Sequence, residues 1–138
     1  LHNMLWVEQP IVCALNGVAA GRGATSALFC DIMYASDQAR IGDTHVKAGL
    51  VAGDGGAVIW PLLVGVAKAK ELLMTGDIID AAEAERIGLV NKVVPHDKLM
   101  EEAMDLARRL ANGPAMAIRR SEERRVGHQC RSRGSPYP

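Results

Sequence analysis

The chain has 138 residues, of which 49% are hydrophobic and 23% are charged, a composition that excludes wholesale disorder and suits one folded domain. Sixteen basic side chains balance sixteen acidic ones, so the charge gives no reason to expect nucleic acid or an anionic membrane as a partner. The three cysteines have neither metal-ligand nor redox spacing, and no apolar run is long enough to span a bilayer, so we expect a reduced, cytoplasmic protein.

The first half of the chain predicts short strands separated by turns. Three apolar, β-rich runs are typical of buried strands, at 11–15, 32–35 and 39–41. Asn16-Gly17 after the first run is a turn signal. Small and apolar residues at 23–30 then predict a buried helix before the second strand.

The second half predicts four helices and one more strand. Helices are predicted at 57–64, 66–75, 81–87 and 97–111, after a glycine-rich loop at 49–56 and around a strand at 89–94. We expect Pro61 to limit the regularity of the first of these helices, and Asp80 to cap the third. In the last, Leu99, Met100 and Ala103 begin an apolar face. Because strands and helices alternate, the fold class is α/β.

The segment 120–138, with the sequence RSEERRVGHQCRSRGSPYP, follows neither a helical nor a strand period. It is either a disordered basic tail that contacts nucleic acid or a non-native extension, since it closely resembles a translated sequencing-library adapter. We expect the genuine protein to end near Arg119, with a domain at 1–119 and a non-native or disordered tail at 120–138. The first residue is Leu1 rather than Met, so we also expect a piece of a longer protein.

Gly21 and Gly23 flank Arg22 between a predicted strand and a predicted helix. Glycine at this place lets the backbone approach a ligand closely, and the helix N-terminus offers free N–H groups with a positive partial charge. This suits a phosphate or an oxyanion that develops during a reaction. A Rossmann fingerprint is excluded because Ser26 stands where the third glycine belongs.

The longer context contains an ordered set of motifs. The chain reads PIVCALNGVAAGRG, then CDI and ARIG, then a loop with GLVAGDGG, and last LLMTGDIIDAAEAERIGLVNKVVP. This set resembles the crotonase superfamily, the enoyl-CoA hydratase/isomerase family, over about residues 9–118, as the C-terminal part of the family's core. The resemblance implies a crotonase-like spiral of β-β-α repeats, present here as an incomplete domain at 1–119.

The resemblance also implies a ligand and an assembly. The ligand is an acyl-CoA thioester, and no cofactor or metal is expected because coenzyme A is part of the substrate. Full-length chains of this family form homotrimers or hexamers. The enzyme class implied is an enoyl-CoA hydratase/isomerase-like lyase, although this chain alone is expected to be inactive, because one of the two oxyanion donors normally comes from a loop upstream of Pro10.

By the same resemblance, the N–H of Arg22, with Gly21 and Gly23 beside it, binds the thioester oxygen in an oxyanion hole. Only this N–H is needed, and we expect the Arg22 side chain to point to solvent rather than toward ligand phosphates. The two catalytic glutamates of the family's hydratases fall on Thr25 and His45, so neither glutamate is present.

Three residues are catalytic candidates in their place. Thr25 is a poor general base because its hydroxyl pKa is far too high, and a bond to its own helix backbone is its plainer role. His45 can shuttle protons near neutral pH, although a lone histidine is often structural. Asp54 could act as base or nucleophile, or cap the following helix. Asp43 is a fourth, weaker candidate that could orient His45.

Two functions therefore stay open. The first is an acyl-CoA-binding enzyme that stabilises a thioester enolate during hydration or isomerisation. The alternative is a catalytically silent acyl-CoA-binding subunit that keeps the fold without the glutamates. In either case the alanine-rich helices at 66–75 and 97–111 are expected to leave apolar surface exposed and to make the isolated chain poorly soluble.

Overall fold

The computed structural model describes Met4 and residues 6–122. Their strands are β1 Val12–Leu15, β2 Val18–Ala20, β3 Ile32–Ser36, β4 Arg40–Gly42, β5 Ile79–Asp80 and β6 Lys92–Val94. Their helices are α1 Arg22–Leu28, α2 Gly56–Val64, α3 Val66–Thr75, α4 Ala81–Arg86, α5 Leu99–Ala111 and α6 Ala115–Glu122, with short 3₁₀ turns at His45–Ala48 and His96–Lys98. The predicted α/β class is confirmed.

The strands form two small sheets. In the first, β3 lies between β1 and β6, and all three strands are parallel. In the second, β4 pairs in parallel with β2 and antiparallel with β5. Ala20 of β2 pairs with Gly42 of β4, so the residues that follow these two strands leave the sheet side by side. This register positions the candidate site described below.

Most elements lie where the sequence predicts them, and the differences have local causes. Helix α3 has the predicted bounds, and the Asp80 carboxylate caps α4 by accepting the Glu83 N–H at 2.8 Å. Strand β6 begins at Lys92 rather than at 89, because the N–H groups of Leu89 and Val90 both donate to the Ala84 carbonyl and turn the chain after α4. Strand β2 was not predicted, because its three residues show no alternation of apolar and polar side chains.

The core is built mainly from small aliphatic residues around one tryptophan. Trp60 and Ile41 are completely buried, and alanines of four different helices are buried with them: Ala24, Ala69, Ala81, Ala84 and Ala103. Pro61 lies inside α2 without ending it. The predicted face of α5 is wrong at one position, because Met100 is 61% exposed while Leu99 and Ala103 are buried.

Large apolar side chains on the surface confirm the expectation of exposed apolar area. Val66 and Met74 of α3 are 60% and 73% exposed, and Val51, in the loop before α2, is 85% exposed. None of the helices in the described part of the chain has the length and apolar character that a membrane crossing requires. Helix α6 continues to Glu122, three residues past the predicted domain end at Arg119; the rest of the predicted tail lies outside the described residues.

Two of the cysteines are neighbours in space. Cys13 of β1 and Cys30, just before β3, are both half-buried. A hydrogen bond between their side chains, together with burial, raises the pKa of the Cys13 thiol. The Cys13 thiol therefore stays protonated at neutral pH, in line with its predicted role as a small apolar residue. Cys130 lies outside the described residues.

Gly42 lies where β4 passes closely over the chain that leads into β5. A Cβ at this position would lie 2.4 Å from the Asp77 carbonyl oxygen and 2.8 Å from the Ile78 Cα, both of them backbone atoms. We expect Gly42→Ala to destabilise the protein by about 1–3 kcal/mol, because the backbone must shift to admit the methyl group. The measurement is the midpoint of urea unfolding. Gly17→Ala is the matched control, since nothing lies within 4 Å of a Cβ there, and equal midpoints for the two variants would contradict the prediction.

Candidate active site

Three segments of the chain converge at the ends of β2 and β4. The turn at Gly21 follows β2 and leads into α1, and Asp43 follows β4. The Gly21 N–H donates to the Gly42 carbonyl at 3.0 Å, which ties the first two segments together. The third segment is the predicted glycine-rich loop, which carries Asp54 and leads into α2.

The turn before α1 requires glycine. Gly21 has φ 51° and ψ −122°, the conformation of the first central residue in a type II′ turn, which glycine adopts without strain. A Cβ here would lie 3.4 Å from Thr44 Oγ1 and 3.6 Å from His45 Cε1, so the turn lies against the His45 ring. Arg22 is the first residue of α1, and its N–H therefore has no acceptor within the helix. Its side chain is exposed, as predicted.

Asp43 and His45 form a close pair. The Asp43 carboxylate is buried, with 1% exposure, and its Oδ1 lies 2.6 Å from His45 Nδ1 and accepts the His45 backbone N–H at 3.1 Å. The hydrogen bond that His45 donates to Asp43 raises the pKa of His45, the negative charges of Asp43 and Asp54 act in the same direction, and desolvation opposes them. Since Nδ1 is hydrogen-bonded to Asp43, Nε2 is the ring nitrogen that can exchange a proton with a bound molecule.

Asp54 faces the other side of the same imidazole ring. Its Oδ1 accepts the Thr25 hydroxyl at 3.2 Å and the Gly56 N–H at 3.3 Å. Its Oδ2 lies 3.7 Å from His45 Nε2, and this buried atom has no hydrogen-bond partner among the described residues. One oxygen of Asp54 is thus anchored, and the other is directed at the free nitrogen of His45.

Thr25 connects the glycine turn with Asp54. Its side chain is completely buried, and its hydroxyl lies 3.3 Å from the Gly21 carbonyl oxygen as well as 3.2 Å from Asp54 Oδ1. A hydroxyl has one proton, so these two acceptors share it. The bond back to its own helix turn was predicted, but the bond to Asp54 was not.

The structure thus brings together the predicted residues Gly21, Thr25, His45 and Asp54, with Asp43 among them. Arg22 and Gly23 are exposed on the first turn of α1. Gly56 was missed by the sequence analysis: a Cβ there would lie 2.5 Å from Asp43 Oδ2. The two adjacent glycines at the end of GLVAGDGG were the available signal. A sequence pattern does not show which side chain packs against a glycine, however.

Asp43, His45 and Asp54 also offer metal-ligating atoms within 4.8 Å of one another, where the sequence predicted no metal. Because Asp43 Oδ1 and His45 Nδ1 bind each other, His45 Nε2 and Asp54 Oδ2 are the two best-placed ligand atoms. Two atoms are fewer than the three or four protein ligands that a zinc site takes. The arrangement is better suited to moving a proton between a nitrogen, a carboxylate and a bound molecule.

Comparisons with known proteins point to one family. A family model described as enoyl-CoA hydratase/isomerase matches residues 1–133. The short-chain-enoyl-CoA hydratase of Clostridioides difficile is 47% identical over 116 residues, which cover 84% of this chain and 74% of that protein. The crotonyl-CoA hydratase of Syntrophomonas wolfei is 42% identical over 116 residues, which cover 84% of this chain and 45% of that protein.

Solved structures show the same fold. An enoyl-CoA hydratase from Bacillus anthracis superposes with a TM-score of 0.86 at 38% identity, over 88% of this chain and 47% of that one. Subunit I of the Geobacillus kaustophilus enoyl-CoA hydratase gives 0.85 at 42% identity, over 88% and 48%. The predicted crotonase-like fold is confirmed, and the chain spans about half the length of most of these relatives.

The match to the family model extends beyond the predicted residues 9–118 on both sides, and it gives the adapter interpretation of the tail no support. The chain belongs to the enoyl-CoA hydratase/isomerase family.

Proposed function

We propose that the protein is an acyl-CoA-transforming enzyme that stabilises a thioester enolate while a double bond is hydrated or isomerised. One observation carries this proposal: the Gly21–Arg22 turn, the His45 ring and the Asp54 carboxylate converge, with His45 in contact with both of the others. The relatives support the reaction class, because those compared above are named as hydratases of enoyl-CoA or crotonyl-CoA.

The Arg22 N–H is the proposed oxyanion donor. As the first N–H of α1 it has no helical acceptor, and the helix N-terminus favours negative charge. Addition to an enoyl thioester, or removal of a proton beside the carbonyl, places negative charge on the thioester oxygen. A fixed N–H directed at that oxygen lowers the barrier, and losing one such donor costs about 3 kcal/mol.

His45 and Asp54 are the proposed acid and base. His45 Nε2 and Asp54 Oδ2 lie 3.7 Å apart, a separation at which one oxygen atom can hydrogen-bond to both at about 2.8 Å. In hydration, the water oxygen bonds to the β-carbon, its proton passes to this pair, and a proton goes to the α-carbon as the enolate collapses. Isomerisation needs only the removal and return of a proton.

Thr25 is proposed to position Asp54 rather than to transfer protons. Its hydroxyl contributes to the anchor on Asp54 Oδ1, together with the Gly56 N–H. A threonine hydroxyl is a poor general base near neutral pH, because its pKa is far too high. This replaces the catalytic role that the resemblance implied for Thr25 with a supporting one.

Asp54→Asn tests the proposal, because it keeps the shape of the side chain and removes its basicity. We expect kcat for crotonyl-CoA to fall by about 10²- to 10⁴-fold, measured with the full-length protein as loss of the conjugated thioester absorbance. Asp105→Asn on α5 is the matched control, since that carboxylate is exposed and pairs with Arg108 on its own helix. Equal turnover by both variants would remove Asp54 from the mechanism. Tight binding of crotonyl-CoA without turnover by the wild type would instead support the silent subunit.

The assembly and setting are proposals as well. We propose a homotrimer or hexamer of full-length chains in the cytoplasm, acting on an acyl-CoA thioester without a separate cofactor and without nucleic acid or membrane as partner. The exposed apolar side chains of α3 support an assembly, because such surface is usually covered in a stable protein. For 120–138 we retain the proposal of a non-native tail, supported by its adapter-like sequence; resequencing the gene across that region tests it.

A further inference from the structure

We infer that Asp43 is a positioning residue that fixes the orientation and the tautomer of His45, so that Nε2 faces Asp54. This deepens the proposed function and rests on it for the catalytic use of Nε2. The state of the His45 ring itself can be measured without substrate, so the two proposals fail separately.

The first support is the double contact on one carboxylate oxygen. Asp43 Oδ1 accepts the His45 backbone N–H at 3.1 Å and lies 2.6 Å from His45 Nδ1. The backbone contact fixes where residue 45 lies, and the ring contact fixes how its imidazole is turned. A carboxylate can only accept a hydrogen bond, so Nδ1 must carry the proton and Nε2 is the basic nitrogen of the neutral ring.

The second support is the way the other oxygen is enclosed. Asp43 Oδ2 is buried without a hydrogen-bond partner among the described residues, and it lies against the first residue of α2. A Cβ on Gly56 would come within 2.5 Å of it, so only glycine leaves room for the carboxylate. The nine-residue helix α2 presents its positive end to this oxygen, which favours a negative charge there. The enclosure holds Asp43 in a single orientation.

The charges that act on His45 are few. Asp43 and Asp54 are the two charged groups whose interactions raise its pKa. Helix α3 packs against the 3₁₀ turn that carries His45. Lys47, which lies on that turn, pairs with Asp77 at 4.0 Å. Thr25 and Gly21 on the remaining side do not titrate. Removal of the Asp43 charge should therefore dominate any change in the titration of His45.

The test is ¹⁵N NMR of the histidine side chains in the protein, wild type against Asp43→Asn. In the wild type we expect the neutral His45 ring to carry its proton on Nδ1, and its pKa to lie above the ordinary value for histidine. In Asp43→Asn we expect the pKa of His45 to fall and the Nε2–H tautomer to gain population. His96, whose Nδ1 lies 3.0 Å from Ser36 Oγ, serves as the internal control and should not change.

Two results would overturn the inference. An unchanged tautomer and titration of His45 in a folded Asp43→Asn variant would show that Asp43 does not set the ring. If that variant does not fold, the wild-type spectrum decides, because a dominant Nε2–H tautomer contradicts the inference directly. In the turnover assay the same variant should lose about 10²-fold in kcat with KM nearly unchanged, which separates positioning from a loss of substrate binding.

Discussion

Replacing His45 with alanine is expected to lower kcat for crotonyl-CoA by about 10²- to 10⁴-fold in the full-length protein. The reason is that His45 lies between the two other parts of the site, with Nε2 at 3.7 Å from Asp54 Oδ2 and its ring against the Gly21 turn. It is also the described group of the site whose ordinary pKa is nearest to neutrality. Steady-state kinetics of the thioester absorbance would measure the loss.

His96→Ala is the matched control for this variant. His96 is exposed and contacts Ser36 and Asp37, beside the sheet of β1, β3 and β6 rather than at the ends of β2 and β4. Its replacement should leave turnover within about threefold, as is usual for surface changes away from a site. A His45→Ala variant as active as this control would show that the convergence of residues has no catalytic meaning.

Arg22→Pro is expected to reduce kcat by about 10²- to 10³-fold, while Arg22→Ala leaves it nearly unchanged. Proline removes the N–H that is proposed to bind the thioester oxygen, whereas alanine removes only the exposed side chain. The comparison isolates one backbone donor, and kcat with crotonyl-CoA is again the quantity to measure.

The position is unusually suitable for this experiment. Arg22 is the first residue of α1, where proline is tolerated because the N–H has no helical acceptor. Gly21, which would precede the new proline, has ψ −122°, well outside the helical values that a following proline disfavours. The unfolding midpoint of Arg22→Pro should therefore stay close to that of Arg22→Ala. Equal kcat values for the two folded variants would exclude this N–H as a donor.

Local signals explain why much of the fold was predictable. Residues next to α3 signal where it begins and ends, and Gly76 at its end has a left-handed conformation. Asp80 caps α4 through a contact with a residue three positions away. Elements without such signals were missed or misjudged. Strand β2 has three residues and depends on pairing with β4, and the exposure of Met100 depends on what packs beside α5. Tertiary contacts, rather than propensity, decide such cases.

The candidate site was predictable only in part for the same reason. The motifs pointed to Arg22, Thr25, His45 and Asp54 through resemblance, but each residue type alone favoured a plain structural role. Two contacts that organise the site join residues far apart in the chain, namely Thr25 with Asp54 and Asp43 with the backbone at Gly56. The parallel register of β2 and β4 brings the Gly21 turn beside the chain that follows Gly42, and the packing of α2 against α1 adds the loop that carries Asp54. Neither arrangement can be predicted from a local sequence pattern.

The most direct test of the central claim is a double-mutant cycle of His45→Ala and Asp54→Asn, measured as kcat on crotonyl-CoA with the full-length protein. If the two residues work as one acid/base unit, the double variant should be about as slow as the slower single variant, because either loss already disables the unit. Losses that multiply would show that the residues act independently. A wild-type protein that binds crotonyl-CoA tightly and never turns it over would contradict the account altogether.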